Sequence, residues 1–92
     1  MEDLRHGQLM QSVHDFHVNG GTPAMAFVVI FRLESYVNEM EERITELNSL
    51  PHQTRSIHNK VAKTTFYRNM AWAVLRKMRK RYRRWFLLWE EE

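Results

Sequence analysis

Positively charged side chains are concentrated in one stretch near the C-terminus of the chain. Residues 76 to 84 read RKMRKRYRR, so seven of these nine side chains are cationic. Guanidinium groups bind phosphate and carboxylate oxygens through paired hydrogen bonds, and five of the seven cations are arginines. The following residues, WFLLW, add three large aromatic rings. Arginine and large aromatic rings dominate the binding energy of many interfaces.

We therefore predict that this segment forms the binding surface of the protein. Its cationic residues are Arg76, Lys77, Arg79, Lys80, Arg81, Arg83 and Arg84. Its candidate aromatic anchors are Trp72, Trp85, Phe86 and Trp89. Residues 55 to 84 contain eleven Lys and Arg and no acidic residue, so we expect the basic run to lack an acidic partner within the chain. An anionic partner would relieve the repulsion among these charges.

Catalysis and metal binding receive little support from the sequence. The chain has no cysteine, and residues 19 to 23, NGGTP, lack the Lys and Ser or Thr that follow the glycines of a phosphate-binding loop. His14 and His17 are three residues apart, with His6 further up the chain, but a zinc site needs a third or fourth ligand. We interpret the histidines as surface residues and predict no enzyme activity, no metal site and no cofactor.

Two breaks divide the chain into the segments that must position this surface. The first is NGGTP, in which Thr22 before Pro23 is typical of a helix N-cap followed by proline at the first helical position. The second is SLPHQ, residues 49 to 53, where Pro51 disfavours helix for the preceding residue. Each segment between the breaks is long enough for a helix.

Hydrophobic periodicity predicts helices in all three segments. Apolar residues recur at alternating spacings of four and three in the second segment, at Ala26, Ile30, Leu33, Val37, Met40, Ile44 and Leu47. The third segment repeats the spacing at Ile57, Val61, Thr64, Arg68, Ala71, Leu75, Met78, Tyr82, Trp85 and Trp89. We predict an all-α fold: a long antiparallel helical hairpin (about 23–49 and 56–89) with a shorter N-terminal helix (about 2–18). Residues 1–92 would form a single small helical domain.

The hairpin determines where the charges lie, because a short loop makes two long helices antiparallel neighbours. The acidic residues between Glu39 and Glu46 should lie beside Lys60, Lys63 and Arg68 near the loop. The basic run then lies at the opposite end, beside the apolar start of the second helix. The N-terminal helix should pack at that same end, away from the loop.

These patterns predict a non-catalytic binding protein. Its partner would be an acidic macromolecule, either a nucleic acid or a nucleic-acid-handling protein complex, and its role that of an inhibitor or accessory factor of the phage or mobile-element type. Two alternatives stay open: a homodimer or larger helical bundle formed through the heptad seams, and a cationic amphipathic helix on a membrane surface, which is less favoured. No signal peptide or transmembrane segment is recognisable, which predicts an intracellular, cytoplasmic protein.

Overall fold

The computed structural model describes the backbone of residues 2–20 and 22–91 and the side chains of residues 4–20, 22 and 24–83. Three helices follow one another: α1 (Glu2–Asn19), α2 (Pro23–Asn48) and α3 (Arg55–Glu91). Helices α2 and α3 pack together as an antiparallel hairpin, and α1 packs against α2. The predicted all-α fold, with a long hairpin and a shorter N-terminal helix, is therefore confirmed.

Local sequence signals determine where the helices begin and end. Gly20, which ends α1, has φ of 66°, a left-handed conformation that glycine adopts at little cost. The Thr22 hydroxyl accepts a hydrogen bond from the Met25 backbone N–H at 3.3 Å, as predicted for an N-cap before Pro23. Thr54 caps α3 in the same way by accepting from the Ile57 N–H at 3.2 Å.

Replacing Thr22 with alanine should lower the free energy of unfolding by about 1 kcal/mol, because one N–H at the start of α2 loses its partner. Thr45→Ala is the matched control, since the Thr45 hydroxyl donates to the Glu41 carbonyl within the same helix. Alanine has the higher helix propensity there, so a neutral or slightly stabilising effect is expected. Urea denaturation of both variants measures the difference, and equal effects would contradict the capping role of Thr22.

The core lies along the heptad stripes that the sequence predicted. On α2 and α3 the stripe residues near the middle of the hairpin face the partner helix, and Leu33 and Ala71 are 0% exposed. Among the described side chains of α1, Val13 and Phe16 are buried and apolar. The buried apolar residues are Val13, Phe16, Ala26, Val29, Ile30, Leu33, Tyr36, Val37, Met40, Ala71, Leu75 and Met78.

Helix α1 covers one side of the hairpin, at the end away from the loop. The ring of Phe16 meets that of Tyr82 edge-on, with centroids 5.8 Å apart. Nearer the middle of the hairpin, His6 stacks on Tyr67 with centroids 4.3 Å apart. These contacts place α1 where the sequence predicted and join it to α3 as well as to α2.

His6 is buried, at 8% exposure, so its interpretation as a surface histidine is wrong. Its Nδ1 lies 3.0 Å from the Tyr36 hydroxyl, within hydrogen-bonding distance. The signal was present in the sequence, because His6 lies seven residues before Val13 and thus on the buried face of α1. His14 and His17, which lie off that face, are exposed as expected.

Helix α3 runs as one element from Arg55 to Glu91, but Tyr82 departs from helical geometry with φ of −106° and ψ of 15°. The sequence predicted an uninterrupted helix there because it contains neither Gly nor Pro. Tyr82 lies inside the basic run, and Arg83 follows it directly. In the part of the chain that the structure describes, no helix is long and apolar enough to span a membrane.

Candidate nucleic-acid interface

The structure places the described cations of the predicted surface in solvent. Arg76, Lys77, Arg79, Lys80, Arg81 and Arg83 are all exposed. Trp72 is 37% exposed. The other predicted residues, Arg84, Trp85, Phe86 and Trp89, lie outside the residues whose side chains are described.

The apolar residues in the basic run and directly before it cause this exposure. Leu75 and Met78 are each 1% exposed and face α2, and Tyr82 packs against the core. Because successive residues of a helix are about 100° apart, fixing these side chains inward turns the cations between them outward. The packing of α3 against α2 thus directs these cations to the solvent.

The exposed cations are spread around the axis of α3, and Lys77 lies about 140° from Trp72. Arg76, Arg79 and Lys80 lie on the side of α3 that also carries Trp72, and Arg83 follows the irregular residue Tyr82; we call these four residues the basic row. Arg81 lies on the α1 side, where its guanidinium is 3.5 Å from Nδ1 of His17.

Trp72 is not covered by α1. Helix α1 contacts α3 through Tyr67 and Tyr82. Trp72 is five residues after Tyr67 and so points about 140° away from it. Trp72 is thus exposed and does not pack under α1.

Arg79 has an acidic partner, which corrects the prediction that nothing in the chain neutralises the basic run. Its guanidinium donates to the Glu34 carboxylate at 2.7 Å and lies over the Trp72 ring at 5.6 Å from the centroid. The antiparallel packing brings Glu34, at the edge of the α2 stripe, beside Arg79. Within the described residues, Arg76, Lys80 and Arg83 make no ion pair, so the correction applies to one member of the basic row.

The acidic part of α2 is partly occupied by contacts within the chain. Glu41 lies 3.6 Å from the guanidinium of Arg68, as the predicted charge arrangement near the loop requires. Glu39 instead forms an ion pair with Arg5 of α1. The Arg68 side chain is 32% exposed, and its Nε is buried with no hydrogen-bond partner among the described residues.

Two shallow grooves run between α1 and the outer surface of α2. One has a volume of about 530 Å³ and the other about 470 Å³, and Ser12 and Arg32 line both. Asp15 is the single carboxylate in these linings, which include no histidine. Among the described residues, no group of three or more His, Cys, Asp or Glu could hold a metal ion.

Comparison of the chain with protein-family models, with curated proteins and with solved structures gives no match. A functional assignment therefore depends on the chemistry of the surface itself.

Proposed function

We propose that the protein is a non-catalytic binding protein that docks through the basic, aromatic-flanked surface of α3 onto a nucleic acid or a nucleic-acid-handling protein complex. The observation that carries the proposal is a set of exposed cations without acidic partners in the described part of the chain: Arg76, Lys77, Lys80 and Arg83. Phosphates and carboxylates are the groups that such a surface attracts.

The arrangement of these charges favours a partner over simple solvation. Like charges one helical turn apart destabilise a helix by up to about 0.5 kcal/mol per pair, and surfaces that serve solubility alone usually mix both signs. Arg76 and Lys80 are such a pair, and no acidic residue lies between positions 55 and 84 to separate them. An anionic partner removes this repulsion, and each phosphate that the surface neutralises also releases counterions from a nucleic acid.

A role as an inhibitor or accessory factor of the phage or mobile-element type would follow if the surface occupies a channel that normally holds nucleic acid. The proposal places the protein in the cytoplasm, where such targets are present and a chain without cysteines needs no oxidising environment. Catalysis, a cofactor and a metal have no part in it.

A helical bundle of two or more copies is the second candidate. Arg68 argues against this candidate, because in a symmetric seam between two hairpins its guanidinium would lose its hydration. Its position at the edge of the hairpin, 32% exposed and beside Glu41, favours a chain that functions without such a seam. A membrane surface is less favoured, since Leu75 and Met78 already face α2 and are not available to lipid.

A pull-down from cell extract with the tagged protein, divided into nuclease-treated and untreated halves and washed at two salt concentrations, tests the proposal. Loss of the captured material with nuclease and with salt would identify a nucleic acid as the target. A defined protein complex that survives nuclease would identify the second kind of target. Light scattering across concentrations provides the check: a stable oligomer that captures neither kind of target would overturn the proposal.

A further inference from the structure

Trp72 occupies a position on α3 that packing does not explain. It is absent from the side chains packed against the core, and 37% of its surface is exposed. Tryptophan is highly buried on average. An exposed tryptophan ring beside arginines is a common contact for bases and for partner proteins.

Arg79 and Glu34 hold the surroundings of this ring in place. The Arg79 guanidinium stands over Trp72 at 5.6 Å from the ring centroid and is held by the Glu34 carboxylate at 2.7 Å. Arg79 therefore fixes one side of the Trp72 ring, and Glu34 already neutralises the charge of Arg79. A phosphate gains little from Arg79, because the adjacent carboxylate repels it.

The other members of the basic row are available to bind phosphates. Arg76 and Lys80 follow Trp72 at successive turns, about 6 Å apart along the helix, and Arg83 follows beyond the irregular residue Tyr82. Arg76, Lys80 and Arg83 are exposed and form no ion pair within the residues described. The surface thus presents one aromatic ring, and these cations follow it along α3.

We infer that this surface binds single-stranded nucleic acid, with one base stacked on Trp72 and the following phosphates on Arg76, Lys80 and Arg83. The inference rests on the proposed function and specifies its partner. In a duplex each internal base is covered on both faces by its neighbours, so an exposed ring can stack only at the ends; in a single strand the base faces are free. Neither stacking nor phosphate contacts require hydrogen bonds to the edges of the bases. We therefore expect little preference for a particular nucleotide sequence.

Fluorescence anisotropy with labelled oligonucleotides tests the inference. The probes are single-stranded DNA and single-stranded RNA of one base type and a blunt DNA duplex of the same length. The variants are Trp72→Ala, Trp72→Phe and Phe66→Ala, the last being a control because Phe66 is an exposed ring on a different side of α3. Circular dichroism of each variant checks that the helices remain formed.

We expect the wild type to prefer the single strands. Trp72→Ala should weaken their binding by about five- to a hundredfold, whereas Trp72→Phe, which keeps a ring for stacking, should retain most of the affinity. Phe66→Ala should bind like the wild type, and duplex binding should change little with Trp72→Ala.

Each other outcome contradicts the inference in a distinguishable way. If the duplex binds as well as the single strand, the preference for single strands is contradicted while the proposed function stands. If Trp72→Ala binds single strands as the wild type does, stacking on Trp72 is excluded and the proposed function again stands. If no oligonucleotide binds but the pull-down captures a protein complex, the inference fails and the proposed function holds through its second kind of target. If neither experiment finds a partner, both fail.

Discussion

Combined replacement of Arg76, Lys80 and Arg83 with alanine is expected to lower the affinity for a single-stranded oligonucleotide by roughly ten- to a hundredfold. Each of these exposed cations should contribute about 0.5–1 kcal/mol to phosphate binding, and about 1.4 kcal/mol corresponds to a factor of ten. The logarithmic dependence of affinity on salt concentration should also become shallower by about two, since three fewer phosphates are neutralised. Anisotropy titrations between ~50 and ~200 mM salt measure both quantities.

The control is a variant with the same loss of charge elsewhere on the surface. Arg32, Arg55 and Lys60 are exposed and lie outside the basic row. Their combined replacement with alanine leaves the net charge equal to that of the first variant, so long-range attraction weakens by a comparable amount while the phosphate contacts remain. Equal affinities for the two variants would show that binding depends on net charge and not on the basic row.

Replacing Leu33 with alanine should destabilise the fold by about 2–5 kcal/mol. Leu33 is 0% exposed at the centre of the α2 stripe, and the substitution removes its packing and leaves a cavity. A chain of this length is expected to have a total stability of roughly 5–14 kcal/mol, so the variant loses a large share of it. Thermal and urea unfolding, followed by the helical signal, measure the change.

Leu4→Ala is the matched control, because the same side-chain atoms are removed from a leucine that is 63% exposed on α1. It should change the free energy of unfolding by no more than about 0.5 kcal/mol. A comparable loss in both variants would mean that Leu33 does not lie in a closely packed core.

The helices could be predicted because independent signals agreed on them. The α2 stripe keeps its spacing from Ala26 to Leu47, and Thr22, Pro23 and Pro51 mark the ends of that segment. Helix α3 begins at Arg55, one residue before the predicted start, because Thr54 acts as its N-cap. Its end at Glu91 lies beyond the predicted position, since Glu90 and Glu91 are good helix formers and give no stop signal.

The features that sequence could not supply depend on how the helices rotate about their axes. Periodicity identifies the inward stripe but not which edge residues meet across the seam, so the ion pair between Glu34 and Arg79 was missed. The spacing of His6 from Val13 indicated its burial, but its contacts with Tyr36 and Tyr67 depend on where α1 lies against the hairpin. Exposure of the described cations was predictable, because the apolar residues interspersed among them had to face α2.

The one-sided attachment of α1 divides the molecule into two levels of local stability. Among the described side chains, α1 contributes Val13 and Phe16 to the buried apolar cluster, whereas α2 and α3 contribute ten residues. Opening of α1 alone therefore costs less free energy than separation of the hairpin, and the amide protons of α1 exchange with solvent through that smaller opening. Because Trp72, Arg76 and Lys80 lie on α3, on the side away from α1, they keep their arrangement during such an opening.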